Sequence, residues 1–167
     1  MCIRDSICIQ ALKNGNKILF CGNGGSAADS QHLAAELVCK YKKERAALEA
    51  IALTTNTSVL TAAANDLAFD YIFERQVEAF GKKGDVLFAL STSGKSINVV
   101  RAVERANELG LTTIALTGAD GGSIKYKAKV TIKVPSDITN NIQEMHIAVG
   151  HITVSYTHLR AHETSQD

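Results

Sequence analysis

The feature that most constrains the fold is a regular alternation of short apolar runs with longer segments of helical period. Runs rich in Ile, Val and Leu predict five buried strands, at 17–21, 48–53, 85–90, 112–116 and 130–134. The segments between them predict helices at 27–41, 57–80, 97–109 and 138–154. For the helix 97–109, Ser96 is placed to cap the start and Gly110 to end it.

Strands that are apolar on both faces and alternate with helices indicate an α/β fold. They predict a doubly wound parallel five-stranded sheet, flavodoxin-like, with helices on both faces. The chain has 167 residues, 46% of them hydrophobic, which suits a single domain with a real core. In such sheets ligands bind at the carboxyl ends of the strands, near the switch in strand order, so the residues that follow each strand are the candidates for function.

Charge and apolar content narrow the class of protein. With 18 basic and 17 acidic residues, the sequence gives no indication of a basic surface for binding nucleic acid or a membrane. The short basic cluster at 40–45 is expected to be a solvated helix end. No apolar run approaches the ~20 residues of a membrane span, and the start lacks the apolar stretch of a signal peptide. The four cysteines lack metal-site spacing and are expected to be reduced. A cytoplasmic protein is predicted.

Two strand-to-helix turns carry residues suited to an anion. The first, residues 22–26 (GNGGS, the glycine loop), allows close backbone approach and leads into a helix N-terminus, although a plain tight turn would look the same. The second, residues 91–96 (STSGKS, the serine loop), brings four hydroxyls next to helix N–H groups. An ordinary capping turn needs only one hydroxyl, so the serine loop favours phosphate binding.

Histidine and carboxylate side chains share one face of the helix after the glycine loop. His32 and Glu36 are four residues apart and therefore adjacent, a pair that could bind a metal or move a proton. The same spacing is common in surface pairs. On the last helix, Gln143 and His151 share a face, whereas His146 lies on another and is expected to be structural.

Five motifs occur along the chain in a specific order: GNGGSAADSQHLAAEL, LTTNTSVLTAAAND, STSGKSINVV, LTGADGG and TNNIQEMHIAVGH. Together they resemble the phosphoheptose isomerase family of SIS-domain proteins, from about residue 10 to residue 154. The resemblance implies a SIS domain over 7–154. The segments 1–6 and 155–167 do not continue the family's sequence and are interpreted as non-native termini, so that His158 and His162 are given no role.

The resemblance also implies roles for individual residues. Glu36 and His151 would be the catalytic base and acid. One Zn²⁺ per subunit would be held by His32, Glu36, Gln143 and His151. The substrate would be bound by the remaining matched positions together with Glu36 and Gln143: Asn23, Gly24, Gly25, Ser26, Asn65, Asp66, Ser91, Thr92, Ser93 and Ser96. Gln143 and His151 are about 12 Å apart along the helix at ~1.5 Å per residue, so a shared ion requires inward-leaning side chains or ligands from neighbouring subunits.

The activity implied is an aldose–ketose isomerisation, the conversion of sedoheptulose 7-phosphate to D-glycero-D-manno-heptose 7-phosphate through an enediol. That reaction needs a base, an acid and an anchor for the distant phosphate. A related SIS protein binds the bacterial replication initiator without catalysis, and others sense sugar phosphates. The initiator-binding relative lacks the equivalents of Glu36 and His151, and a sensing module would not need the His32–Glu36 pair, so these residues favour the enzyme.

The family implies a homotetramer with active sites between subunits. If the terminal helices are shortened, Ile142, Ile147, Val149 and Ile152 are expected to form an exposed apolar strip that favours association.

Overall fold

The computed structural model describes residues 2–39 and 45–160, without the side chains of 158–160. Within those ranges it contains five strands and six helices. The strands are β1 (Ile18–Gly22), β2 (Ala50–Ala52), β3 (Val86–Leu90), β4 (Thr112–Thr117) and β5 (Val130–Lys133). The helices are α1 (Ile3–Lys13), α2 (Gly25–Val38), α3 (Thr57–Asp66), α4 (Glu74–Phe80), α5 (Ile97–Glu108) and α6 (Thr139–Arg160).

All five strands are parallel and form one sheet in the order β2-β1-β3-β4-β5. This confirms the predicted doubly wound sheet. The strand order reverses between β1 and β3, whose last paired residues are Gly22 and Leu90. Because both strands end at this level and each is followed by a helix, the glycine loop and the serine loop lie side by side at the switch point.

Each face of the sheet is covered by a separate apolar core, as expected for strands that are buried on both sides. Leu19 and Cys21 of β1 point into the core beneath α3, α4 and α5. Their neighbours Ile18 and Phe20 point into the opposite core, which α1, α2 and α6 cover. The four cysteines are free thiols, as predicted, and burial raises the pKa of Cys21 to about 12.

The predicted helix 57–80 is in fact two helices. The chain leaves α3 at Leu67, is fully extended at Ala68 and makes a short 3-10 turn over Phe69–Tyr71 before α4 begins. This break lets Ile72 and Phe73 enter the core under α5. Apolar periodicity did not reveal it, because the apolar residues on both sides of the break keep a helical spacing.

Both ends of the described chain are helical beyond the predicted limits 7–154. Helix α1 begins at Ile3, where Arg4 and Asp5 are buried as an ion pair of 2.7 Å, and α6 continues to Arg160. Whether 1–6 and 155–167 are native stays a prediction. Residues 40–44 and 161–167, with most of the basic cluster and His162, lie outside the described residues. No helix in the described part of the chain combines the length and the apolar character that a bilayer span requires.

The predicted apolar strip on α6 is wrong in three of its four members. Ile142 is buried, and Ile147 and Val149 pack against the core beneath α2. Only Ile152 is exposed, and the surface stripe of α6 instead consists of Met145, Ile152 and Tyr156, with exposed fractions of 49%, 46% and 42%. The prediction failed because α1 and α2 cover one side of this helix, which its sequence alone does not show.

Candidate functional site

The serine loop closes on itself through its own hydroxyls at the end of β3. Ser91 Oγ donates to Ser96 Oγ at 3.1 Å and accepts from Gly94 N–H at 3.1 Å, while Ser93 Oγ accepts from Lys95 N–H. The hydroxyl of Ser96 therefore bonds within the loop and does not cap α5, which corrects the predicted capping role. The loop is a preformed cradle whose hydroxyls stand beside the N-terminus of a helix.

The LTGADGG stretch packs directly against the tip of the serine loop. A Cβ at Gly94 would lie 2.3 Å from the carbonyl oxygen of Gly121, and one at Gly122 would lie 2.3 Å from Gly94. Both glycines also have positive φ. Since only glycine fits this approach, the turn after β4 supports the serine loop from behind.

An open cavity of about 230 Å³ lies between the serine loop and the loops that follow β4 and β5. Its wall includes two predicted phosphate ligands, Thr92 and Ser93, and the buried Ile142 of α6. Lys95 and Asp120, an exposed pair 3.5 Å apart, also line it. The cavity gives a ligand held by the serine loop access to solvent.

Three of the predicted catalytic and metal-binding side chains meet between α2 and α6. His32 Nε2 lies 3.0 Å from His151 Nε2 and 3.1 Å from Glu36 Oε1, and His151 Nε2 lies 3.5 Å from the same oxygen. These three residues, the His–Glu–His cluster, could together hold one metal ion. Among the described residues the buried Glu36 Oε2 has no hydrogen-bond partner, and an unsatisfied buried oxygen is often explained by a missing bound group.

Gln143 stands apart from that cluster within one chain. A Cβ on Gly25 would meet the Gln143 amide at 2.6 Å, so this side chain packs on the first residue of α2. His32 comes seven residues later, about 10 Å along the helix at ~1.5 Å per residue. This position agrees with the reach difficulty expected from the sequence, and the role of Gln143 as a metal ligand stays a prediction.

Asn65 and Asp66 lie exposed in the last turn of α3, where Asn65 Nδ2 donates to Asp66 Oδ1 at 2.8 Å. In the described part of the chain neither one hydrogen-bonds to the glycine loop, the serine loop or the His–Glu–His cluster, so their contact with the sugar stays a prediction.

His146 has the structural position that its helix face indicated. It is fully buried, and its Nε2–H donates to the carbonyl oxygen of Thr117 at 3.1 Å, joining α6 to the end of β4. Burial lowers the pKa of this imidazole, which favours its neutral form.

Sequence reasoning overlooked two polar residues of the site. Asp29 lies on α2 one turn before His32, and burial raises its carboxyl pKa while the nearby His32 and His151 act to lower it. The i, i+3 spacing of Asp29 and His32 could have indicated a shared face. Asn98, buried at the start of α5, exchanges two hydrogen bonds with Asn23 of the glycine loop. A contact between residues 75 positions apart leaves no signal in sequence spacing.

Comparison with known proteins agrees with this geometry. Residues 5–118 match the SIS domain family. The chain is 61% identical over 146 residues to the phosphoheptose isomerase of Akkermansia muciniphila, an alignment that covers 87% of this chain and 77% of the relative. It is also 61% identical over 142 residues to that of Rhodospirillum rubrum, covering 85% and 76% of the two chains.

Solved structures extend the likeness to three dimensions. The phosphoheptose isomerase of Neisseria gonorrhoeae superposes with a TM-score of 0.87 at 48% identity, and that of Francisella tularensis with 0.89 at 38% identity. In each case the match covers 92% of this chain and 82% of the other. With the parallel sheet, the serine loop and the His–Glu–His cluster in place, the chain belongs to the phosphoheptose isomerase family of SIS-domain proteins.

Proposed function

We propose that this protein is an aldose–ketose isomerase that converts sedoheptulose 7-phosphate to D-glycero-D-manno-heptose 7-phosphate. The observation that carries the proposal is the position of Glu36 on α2, the helix that follows the glycine loop. Its carboxylate contacts the imidazoles of His32 on the same helix and His151 on α6. Relatives about 60% identical to this chain are phosphoheptose isomerases. The substrate name comes from the family, whereas the chemistry follows from the side chains.

The reaction moves one proton between C1 and C2 of the sugar. The Glu36 carboxylate takes the C1 proton, and the C1–H electron pair becomes the C1=C2 bond of the enediol. The carbonyl oxygen at C2 gains a proton from Nδ1–H of His151, the ring nitrogen that does not face the cluster. The O1 proton then returns to the imidazole, while Glu36 delivers its proton to C2 and leaves the aldehyde at C1. Each group ends as it began, as general acid–base catalysis requires.

The serine loop is proposed to hold the phosphate at the other end of the substrate. Its hydroxyls and the N-terminus of α5 offer neutral hydrogen-bond donors and a positive dipole end to the anion. The backbone of Asn23, Gly24 and Gly25 and the hydroxyl of Ser26 would contact the sugar between the two ends. Anchoring both ends places C1 and C2 against Glu36 and converts binding energy into orientation.

The His–Glu–His cluster fits a zinc ion. Two ligands held by one tetrahedral zinc at ~2.0–2.1 Å stand about 3.4 Å apart, and the separations among the three ligand atoms are 3.0, 3.1 and 3.5 Å. When bound, such an ion polarises the carbonyl and stabilises the enediolate. His32, Glu36 and His151 would hold it, with Gln143 supplied from a neighbouring subunit or by a rearrangement of its side chain.

A homotetramer with active sites between subunits is part of this proposal. Met145, Ile152 and Tyr156 form an exposed apolar stripe on α6, the helix that also carries Gln143 and His151. Association through this stripe would bring a second copy close to the catalytic residues and exclude water from them. We further propose that the protein acts in the cytoplasm, where sugar-phosphate metabolism takes place.

The non-catalytic alternatives are not favoured. An initiator-binding protein or a sugar-phosphate sensor needs neither a base nor an acid, yet Glu36 and His151 are both present and in contact through one oxygen. These two residues therefore favour the enzyme over both alternatives.

The direct test is an assay of aldose formation from sedoheptulose 7-phosphate by the purified protein, with and without a chelator. We expect turnover that the chelator removes and zinc restores. Failure of the protein to isomerise this substrate under any metal condition would refute the proposal, and binding without turnover would support a sensor instead.

A further inference from the structure

The glycine loop and the start of α5, the helix that follows the serine loop, are joined by a reciprocal amide pair. Asn98 Nδ2 donates to Asn23 Oδ1 at 2.9 Å, and Asn23 Nδ2 donates to Asn98 Oδ1 at 2.9 Å. Asn98 is only 2% exposed, in the first turn of α5, and Asn23 is half-buried directly after β1. Two hydrogen bonds between planar amides restrain rotation as well as distance.

The orientation of this pair is determined by the backbone. The N–H of Val99 donates to Asn98 Oδ1 at 2.9 Å, so an oxygen must stand at that position. With Asn98 held this way, its Nδ2 can face only the oxygen of Asn23, and the reverse orientation would oppose donor to donor. The pair therefore has a single hydrogen-bonding arrangement.

The pair lies where the two loops begin to diverge. Gly22 and Leu90 are the last paired residues of β1 and β3, and beyond them the sheet no longer couples the two chains. Asn23 follows Gly22 directly, and Asn98 comes two residues after Ser96. Of the side-chain hydrogen bonds in the described residues, these two are the ones that link the glycine loop to the serine loop and the start of α5.

We infer that Asn98 is a positioning residue, which sets the spacing between the sugar-binding glycine loop and the phosphate-binding serine loop. This inference rests on the function proposed above, because only a ligand that spans both loops senses their separation. A small displacement of one loop would leave each half of the ligand able to bind, yet would move C1 and C2 away from Glu36.

The inference differs from a purely structural role in what it predicts for two ligands. Inorganic phosphate occupies the serine loop alone, so its binding should not depend on the amide pair. Sedoheptulose 7-phosphate spans both loops, so its binding and turnover should. If Asn98 merely stabilised the fold, both ligands would be affected together.

The test compares the parent with Asn98→Ala and Asn98→Ser, the latter keeping a small polar group in the buried site but lacking the reach to Asn23. Asn107→Ala is the matched control, since it removes two side-chain hydrogen bonds at the other end of the same helix. For both Asn98 variants we expect kcat/KM for sedoheptulose 7-phosphate to fall at least about tenfold, through a lower kcat and a higher KM. The inhibition constant of inorganic phosphate should stay within about twofold of the parent, as should both constants in the control.

Combining Asn98→Ala with Asn23→Ala completes a double-mutant cycle. Because one removal already breaks the pair, the double variant should be no worse than the poorer single variant by more than about twofold. Parent-like kcat/KM in the Asn98 variants would overturn the inference, as would equal loss of phosphate and sugar-phosphate binding or failure of both variants to fold. A parent that does not turn over sedoheptulose 7-phosphate refutes the proposed function instead, and calorimetric binding of the same two ligands then decides the inference.

Discussion

His32 and His151, 119 positions apart in the chain, meet with their Nε2 atoms 3.0 Å apart and their rings edge to face. Glu36 Oε1 lies within 3.5 Å of both nitrogens. The meeting depends on α2 and α6 packing side by side, which the close contact of Gly150 with Leu33 allows. The His–Glu–His cluster thus depends on one helix–helix contact.

Replacing Glu36 with Gln should abolish most of the isomerase activity while leaving the fold intact. The amide keeps the size of the side chain but cannot accept the C1 proton, so we expect kcat to fall by ~10²–10⁴. Initial rates with sedoheptulose 7-phosphate measure the effect. Glu78→Gln on α4, which alters a half-buried ion-pair group outside the His–Glu–His cluster, is the control and should keep parental rates. Activity of Glu36→Gln within about threefold of the parent would exclude it as the base.

Removing His32 should weaken zinc binding without weakening phosphate binding. The imidazole of His32 provides one of the three converging ligand atoms. We therefore expect His32→Ala to lower zinc affinity by at least about 10–100-fold, which is the range seen when a group that only supports a metal ligand is lost. Calorimetric titration with zinc chloride reads this out independently of turnover. Gln31→Ala, the adjacent exposed position on the same helix, serves as the control. Unchanged zinc affinity in His32→Ala would show that the cluster is not the metal site.

Two of the three serine hydroxyls in the serine loop, those of Ser91 and Ser93, should behave differently. Ser93 is exposed, so Ser93→Ala should raise the dissociation constant of the sugar phosphate and hardly change the melting temperature. The buried Ser91 hydroxyl also accepts a hydrogen bond from Gly94 N–H, so Ser91→Ala should also lower the free energy of unfolding by about 1 kcal/mol and the melting temperature with it. Calorimetry with inorganic phosphate and thermal unfolding separate the two effects. If the variant that combines Ser91→Ala with Ser93→Ala binds phosphate as tightly as the parent, the serine loop is not the phosphate site.

Asp85 should make stability depend on acid pH. Burial acts to raise its pKa, but hydrogen bonds from Lys17, Lys82 N–H and Asn16 outweigh burial and hold the pKa below the ordinary value. The ionised form therefore stabilises the fold above about pH 4, and that contribution is lost as pH falls through the lowered pKa.

Asp85→Asn tests this dependence. It leaves Lys17 buried beside a neutral group, and we expect a loss of about 3–5 kcal/mol near pH 7 that shrinks below about pH 4. Denaturant unfolding across pH measures it, with Glu108→Gln at an exposed ion pair as the control, where a change of at most ~1 kcal/mol is expected. A loss that does not vary with pH would contradict the charge-based account.

Introducing a charge into the stripe on α6 should reduce association. Ile152→Glu places a carboxylate in the middle of that stripe, so light scattering should show smaller species than the parent at equal concentration. Tyr126→Ser, which alters an exposed side chain of another region, should leave the mass unchanged. A parent that is monomeric and fully active would refute both the tetramer and the shared active site.

The sequence alone was enough to predict the parallel sheet and the positions of the glycine loop and the serine loop. The three central strands β1, β3 and β4 are buried on both faces, so their runs are mostly apolar. All five strands were recognisable, as were the glycine loop and the serine loop that follow two of them. Local spacing also placed His32 beside Glu36, because residues four apart share a helix face.

Only the tertiary structure decided what depends on packing between distant segments. The break at Ala68 and the burial of Ile142, Ile147 and Val149 follow from which neighbours cover each helix. The Asn23–Asn98 pair and the meeting of His151 with His32 join residues 75 and 119 positions apart. No sequence period records such contacts, because the sheet order and the helix packing, and not the spacing along the chain, determine which side chains meet.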